Sequence, residues 1–244
     1  MTSDACRPAE SPVSAARGAF IPQKRDSHAG ALTVEGRPVS PVELAARVAA
    51  LGAPGSRVLL GLVGAPGAGK STLGGELVRE LPTGSAVVVP LDGFHLGQAV
   101  IAGTPLEHRK GAIDTFDVDG YVALLARLRA DDGSTVYAPA YTRVLEEPIA
   151  ASIAVPSAVR VVVTDGNYLL AADPAWRRVR DLLDEVWYLD TDDDLRLFQL
   201  VSRHEEAGKE PDDARRWAYG SDEANATLVR STRDAADLVI SRTT

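Results

Sequence analysis

Gly64-Ala65-Pro66-Gly67-Ala68-Gly69-Lys70-Ser71 follows directly on the apolar run from Arg57 to Val63 and leads into a helical pattern from Lys70 to Leu81. No other stretch of the chain restricts its fold so strongly. The octapeptide fits GxxxxGK[ST], and a strand before it with a helix after it is the context that the pattern needs. Its glycines permit backbone conformations that turn successive N–H groups inward, while the helix behind them adds unsatisfied N-terminal donors and the positive end of its dipole. The segment is therefore expected to cradle the phosphates of a nucleotide, with contacts from Gly64, Ala65, Pro66, Gly67, Ala68, Gly69, Lys70, Ser71 and Thr72. In such a cradle Lys70 reaches the β- and γ-phosphates, the Ser71 hydroxyl ligates Mg²⁺, and Thr72 supports the α-phosphate side. The competing reading, an ordinary glycine turn between strand and helix, is weakened by the flanking pattern.

Four more short runs are apolar throughout rather than alternating: Ala86 to Pro90, Val159 to Thr164, Glu185 to Asp190 and Asp237 to Ser241. Such runs suit strands buried on both faces of a parallel sheet. Helical patterns lie between them, at Asp119 to Ala130, Pro174 to Leu183 and Asp193 to Ala207. This order predicts a P-loop NTPase fold, a three-layer α/β/α sandwich with a mainly parallel sheet and crossover connections. Order is expected to begin near Ser40, which can cap a helix with Pro41 in its first turn, Glu43 completing a capping box and Gly52 closing it. Residues 1–38 read as a disordered tail and 39–244 as one domain, within the size that a single core can serve.

Charge and cysteine content narrow the partners. With 34 acidic against 26 basic residues, a net charge of -8 disfavours a nucleic-acid or basic membrane-surface protein. Cys6 is the only cysteine, so no internal disulfide is available, as suits a reducing cytoplasm. No apolar run approaches the roughly 20 residues that span a bilayer, and the first 20 residues lack the apolar stretch of a signal peptide. A small soluble partner and a cytoplasmic location are expected.

A phosphate cradle does not say what the nucleotide is for. Guanine readers use N-K-x-D, whereas neither asparagine here, Asn167 or Asn225, precedes a lysine. Motor and transport ATPases need extra domains that about 200 ordered residues do not supply. A small-molecule kinase remains. The second strand ends in Val-Pro-Leu-Asp92-Gly-Phe-His95, and ligands of open α/β sheets bind beyond the carboxyl ends of strands. Asp92 there can accept the proton of a substrate hydroxyl as it attacks the γ-phosphate, or hold Mg²⁺ through water. Taken alone it is equally an Asp-Gly turn. His95, on the same loop, can hydrogen-bond substrate or be structural. Asp165 ends a buried strand, where its carboxylate can hold the Mg²⁺ water shell beside Ser71.

The segments GLVGAPGAGKST, VPLDGFHL, RKGAIDTFD, VYAPAYTR, VVVTDGNYLL and DLRLFQLVSRHEEAG occur in an order and spacing that resemble the phosphoribulokinase/uridine kinase family, over about residues 57–241. The chain is most similar to its pantothenate kinase and nucleoside kinase-like branch. The resemblance implies that Asp92 is the catalytic base and that Arg203 belongs to a helical lid, about residues 194–222, closing over the phosphates. Arg196, seven residues earlier, lies near the same face, and Gln199 stands where relatives carry a further arginine. It also implies an acceptor region that includes His95, Arg109, Tyr137, Tyr141 and Arg143, and it is compatible with a homodimer. Asp165 replaces the usual glutamate. Tyr137-Ala138-Pro139-Ala140-Tyr141 departs from the proline and tyrosine-aspartate of pyrimidine nucleoside kinases, which leaves nucleoside, pantothenate-like and sugar acceptors open. The expectation is an ATP- and Mg²⁺-dependent kinase of a small hydroxyl acceptor. The alternative is a non-catalytic regulatory module that responds to ATP.

Overall fold

The computed structural model describes residues 30–53 and 55–243. Strands β1 (Ala31–Val34) and β2 (Arg37–Pro38) form a hairpin, followed by helix α1 (Pro41–Ala49) and strand β3 (Val58–Val63). Then come α2 (Lys70–Glu80), β4 (Ala86–Val88), α3 (Gln98–Ile101), α4 (Val118–Ala130), the hairpin strands β5 (Val136–Thr142) and β6 (Glu147–Val155), and β7 (Val161–Asp165). The chain finishes with α5 (Pro174–Arg180), β8 (Glu185–Thr191), α6 (Asp193–Glu206), α7 (Pro211–Tyr219), α8 (Ser221–Arg230) and β9 (Leu238–Thr243).

The seven-stranded sheet runs β2-β1-β9-β8-β3-β7-β4, and its pairings from β9 through β4 are parallel. The two faces of β3 explain why its sequence does not alternate. Leu59 and Val63 pack with Tyr121, Leu125 and Val179 on one side, while Val58, Leu60 and Leu62 pack with Leu44, Leu73 and Trp187 on the other. Each fully buried leucine here contributes ~2 kcal/mol by leaving water. Helix α1 starts with the expected capping box, in which Ser40 accepts from the Glu43 N–H and Glu43 accepts from the Ser40 N–H. Among the described residues no helix is long and apolar enough to cross a membrane.

The expected tail boundary at residue 38 is corrected by the hairpin. Thr33 pairs with Pro38 within it, and Ala31, Leu32 and Thr33 pair antiparallel with Thr243, Arg242 and Ser241 of β9. Leu32 and Val34 pack on the α1/α2 side of the sheet. Two short strands of mixed polarity carry no periodic signal, and their partner, β9, lies about 200 residues further along the chain. The rest of the tail reading, residues 1–29, lies outside the described residues. A protein starting at residue 39 is expected to melt about 5–10 °C below one starting at residue 30, from roughly 2–3 kcal/mol of lost apolar burial. Equal melting temperatures by differential scanning calorimetry would show that the hairpin adds nothing to the sheet.

Candidate active site

The loop between β3 and α2 enters the helix through Gly69, which takes φ 87° as N-cap, a left-handed conformation that a side chain resists. The Lys70 ammonium folds back over the loop and donates to the carbonyls of Gly64 (2.8 Å) and Ala65 (3.1 Å) and to Asn167 Oδ1 (2.9 Å). Burial pushes the Lys70 pKa down to about 8, helped by the cations Arg203 and Arg196 and opposed by Asp165 and Asp92. A buried ammonium held by neutral acceptors is a charge in want of an anion.

Ser71 Oγ donates to Asp165 Oδ2 at 2.6 Å, so β3 and β7, adjacent in the sheet, bring the expected metal-binding pair together. Burial raises the Asp165 pKa, and its Oδ1 is buried with no hydrogen-bond partner among the described residues. That spare oxygen, next to a hydroxyl, fits a hard cation or its water shell. No group of three or more His, Cys, Asp or Glu side chains converges among the described residues, so a cation here would take most of its ligands from phosphate and water.

Asp92 sits on a 3₁₀ turn, Leu91–Phe94, beyond the end of β4. Its charge acts on Lys70, Asp165, Arg203 and Tyr141, so the carboxylate lies within electrostatic reach of all four. Gly93 is present for space, since a Cβ there would fall 2.5 Å from the Pro139 carbonyl oxygen of β5. The Asp-Gly pair is thus the floor on which the β5–β6 hairpin rests. His95 Nδ1–H donates to the Asp92 carbonyl at 2.8 Å, and its ring packs between Phe116 (4.2 Å) and Tyr141 (4.9 Å). A carbonyl can only accept, which assigns the Nδ1–H tautomer or the imidazolium.

Not every residue expected at the acceptor region is brought there. The Arg109 guanidinium is engaged by Asp114, and Tyr137 stands 56% exposed with no ring partner among the described residues. Lys110 instead lies over the Tyr141 ring, 5.7 Å from its centroid, and donates to the Glu146 carbonyl. Arg143 is exposed in the turn between β5 and β6.

On α6, Arg196 is fully buried and its fork is occupied by Asp193, Glu223 and the Pro66 carbonyl, so it ties the P-loop to α6 and α8. Arg203, two turns on, has a buried Nε without a partner among the described residues. Burial lowers its pKa, with Arg143 adding to the effect and Asp222 and Asp92 opposing it. His204 Nε2 meets Asp222 Oδ2 at 2.7 Å and joins α6 to α8.

Sequence reasoning passed over three residues. Asn167 stands in the quoted VVVTDGNYLL segment, and its position two residues after Asp165 was a usable signal. Lys110 stands beside Arg109 in the quoted RKGAIDTFD segment, where a basic pair reads by itself as a solvated charge. Arg242 gave no signal at all. It is buried at the end of β9 with an unpartnered Nε, and a Cβ on Gly69 would fall 2.2 Å from its Nη1. Beside it, a cavity of about 410 Å³ opens between the P-loop and the ends of β8 and β9, lined by Ala65, Ala68, Asp190, Arg230 and Arg242 among others.

Comparison with known proteins identifies the family and the fold. The model of the Phosphoribulokinase / Uridine kinase family matches residues 59–244. The chain is 31% identical over 194 residues to a provisionally named uridine kinase of Schizosaccharomyces pombe, covering 75% of this chain and 83% of that protein. It is 33% identical over 156 residues to a uridine kinase of Leuconostoc citreum, covering 60% and 68%. A solved structure, provisionally named a fructose transport system kinase, from Silicibacter sp. TM1040, superposes with TM-score 0.75 at 35% identity, covering 82% of this chain and 98% of that one. A phosphate cradle facing a strand-end carboxylate, on this fold and with these relatives, makes the chain a member of the phosphoribulokinase/uridine kinase family, ATP-dependent kinases that phosphorylate a hydroxyl of a small molecule.

Proposed function

We propose that this kinase transfers the γ-phosphoryl group of ATP to a hydroxyl of a small polar metabolite, with Asp92 as the base. The observation that carries this reading is that the Asp92 carboxylate, on the turn beyond β4, lies within electrostatic reach of Lys70, Asp165 and Arg203, while Ser71 Oγ meets Asp165 Oδ2 at 2.6 Å beside the P-loop. The triphosphate runs along residues 64–72, and the base of the nucleotide points to the cavity between Ala68 and Arg242. Asp92 takes the acceptor proton as the hydroxyl oxygen bonds to the γ-phosphorus, and the bond from that phosphorus to the β–γ bridging oxygen breaks to release ADP. Lys70 and Arg203 neutralise the phosphoryl oxygens, a service needed most in the transition state. Ser71 Oγ and the free Oδ1 of Asp165 would hold Mg²⁺, which when bound withdraws charge from the phosphates. The α6–α7 region, carrying Arg203, acts as the lid.

The names of relatives point to nucleoside and sugar acceptors, and pantothenate-like acceptors are the third class. The test is acceptor-dependent ADP release from Mg·ATP, screened over uridine, fructose, pantothenate, glycerate and ribulose 5-phosphate. A rate at least about tenfold above the acceptor-free background with one class supports transfer, since hydrolysis alone needs no acceptor. ADP release that ignores every acceptor, with no phosphorylated product by mass spectrometry, would overturn it.

A further inference from the structure

Among the described residues three arginines, Arg57, Arg196 and Arg242, are no more than 5% exposed. Arg57 donates to the carbonyls of Val159, Leu128 and Pro156 and pairs with Asp131. Arg196 is held by Asp193, Glu223 and the Pro66 carbonyl. The Arg242 guanidinium forms no hydrogen bond or ion pair with any described residue. Carboxylates are not lacking, since Asp190, Asp192 and Asp193 line the same cavity as Arg242. Each is committed elsewhere: Asp190 to Arg233, Asp192 to the N–H groups of Asp194 and Leu195, and Asp193 to Arg196 and Arg230. A guanidinium withdrawn from water without a counter-charge is a standing cost to the fold.

The place it occupies raises that cost. Its Nη1 lies 2.2 Å from the point that a Cβ on Gly69 would take, so the guanidinium is packed against the N-cap of α2. That helix begins with no capping side chain and no acidic residue in its first turn. A cation set against the positive end of a helix is repelled, and an anion that touches both removes the repulsion. The backbone keeps the arginine there. Arg242 pairs with Thr191 of β8 on one side and with Leu32 of β1 on the other, so the strand that carries it is held at both edges.

We infer that Arg242 is a nucleotide-binding residue whose guanidinium holds the phosphate nearest the ribose. The inference rests on the reading of residues 64–72 as the cradle for ATP and deepens it. Lys70 and Arg203 serve the end of the triphosphate where transfer takes place. Arg242 stands at the other end, between Gly69 and the cavity assigned above to the base. A guanidinium fork matches phosphate oxygens, and the phosphate it meets here is one that the reaction leaves unchanged. Such a contact holds nucleotide equally before and during transfer, so Arg242 sets affinity while Asp92 and Lys70 serve the chemistry. Loading then supplies the counter-charge that the fold itself withholds.

The test titrates Mg·ADP into wild type, Arg242→Gln and Arg242→Lys by calorimetry and records the phosphorus NMR spectrum of bound ADP at saturation. Arg242→Gln is expected to weaken ADP about 10- to 100-fold, the loss of a charge-assisted contact, and Arg242→Lys to restore part of it. The α-phosphorus resonance should differ between wild type and Arg242→Gln by more than the β-phosphorus resonance does. Melting curves without nucleotide separate binding from support. Removal of an unpaired buried charge leaves Arg242→Gln melting at or above wild type, whereas removal of a structural strut lowers the melting temperature. ADP affinity unchanged from wild type, or a spectral change that spares the α-phosphorus, would overturn the inference; the second result would move the guanidinium to the base or ribose. A melting temperature several degrees lower in both variants would also sink it, by making Arg242 a brace for β9. Failure of the underlying reading looks different: wild type itself binds neither ADP nor ATP, and the inference falls with it.

Discussion

Lys70→Ala lowers acceptor-dependent ADP formation by about 10²- to 10³-fold or more, the loss of several kcal/mol of transition-state stabilisation that follows removal of one directed cation. The fold should survive. Lys70 touches the Gly64 and Ala65 carbonyls and Asn167 rather than the apolar core, and these groups border the site where water can replace the ammonium. The sign of its pKa shift points the same way. A lysine whose folded pKa is depressed to about 8 from 10.5 costs stability at neutral pH, and that cost fades as pH rises between those values. Alanine removes the cost, so the variant should melt within a few degrees of wild type. Turnover measured together with a melting curve checks both halves. Near-normal turnover would remove the P-loop from the chemistry, and a collapsed melting curve would show that the ammonium supports the loop itself.

Asp92→Asn separates binding from chemistry. The amide keeps the size and reach of the side chain but not its basicity, and the cradle, Lys70 and Ser71 are untouched. Affinity for Mg·ATP should stay within about threefold while transfer falls about 10²- to 10⁴-fold, the range for loss of a general base. Titration calorimetry with Mg²⁺ present gives the first quantity and ADP release with the best acceptor gives the second. Turnover within a few-fold of wild type would reduce Asp92 to a turn residue beneath the hairpin. Joint loss of affinity and turnover would make it chiefly a holder of the metal. If instead wild type and variant differ only in nucleotide-driven closure and no acceptor is consumed, the chain is a regulatory module.

Legibility tracked distance along the chain. The phosphate cradle, the strand before it and the helix after it are contiguous, and the turn between them is dictated by its own residues, glycines that tolerate φ near 84–87° at Gly67 and Gly69. The capping box of Ser40 and Glu43 spans four residues. The five continuous apolar runs all became strands of the parallel array β9-β8-β3-β7-β4, with β4 at its edge, because helices cover both faces of a parallel sheet. From these and the family resemblance, the sandwich, the ATP-linked chemistry and the pairing of Ser71 with Asp165 could be anticipated.

What needed the folded chain was every relation between residues remote in sequence. Nothing local distinguishes Arg196, consumed by Asp193, Glu223 and Pro66, from Arg203, seven residues later, whose Nε has no partner among the described residues. Nothing local explains Gly93 until Pro139 is laid across it, or gives Arg242 a role until β9 ends against Gly69. The hairpin at residues 31–38 is decided in the same way, by the free edge of β9 rather than by its own weak pattern. Local propensity and burial are properties of a few neighbouring residues and survive in the sequence. Charge pairing, close backbone approach and strand edges are sums over segments that meet only when the sheet closes, so they were decided by tertiary structure alone.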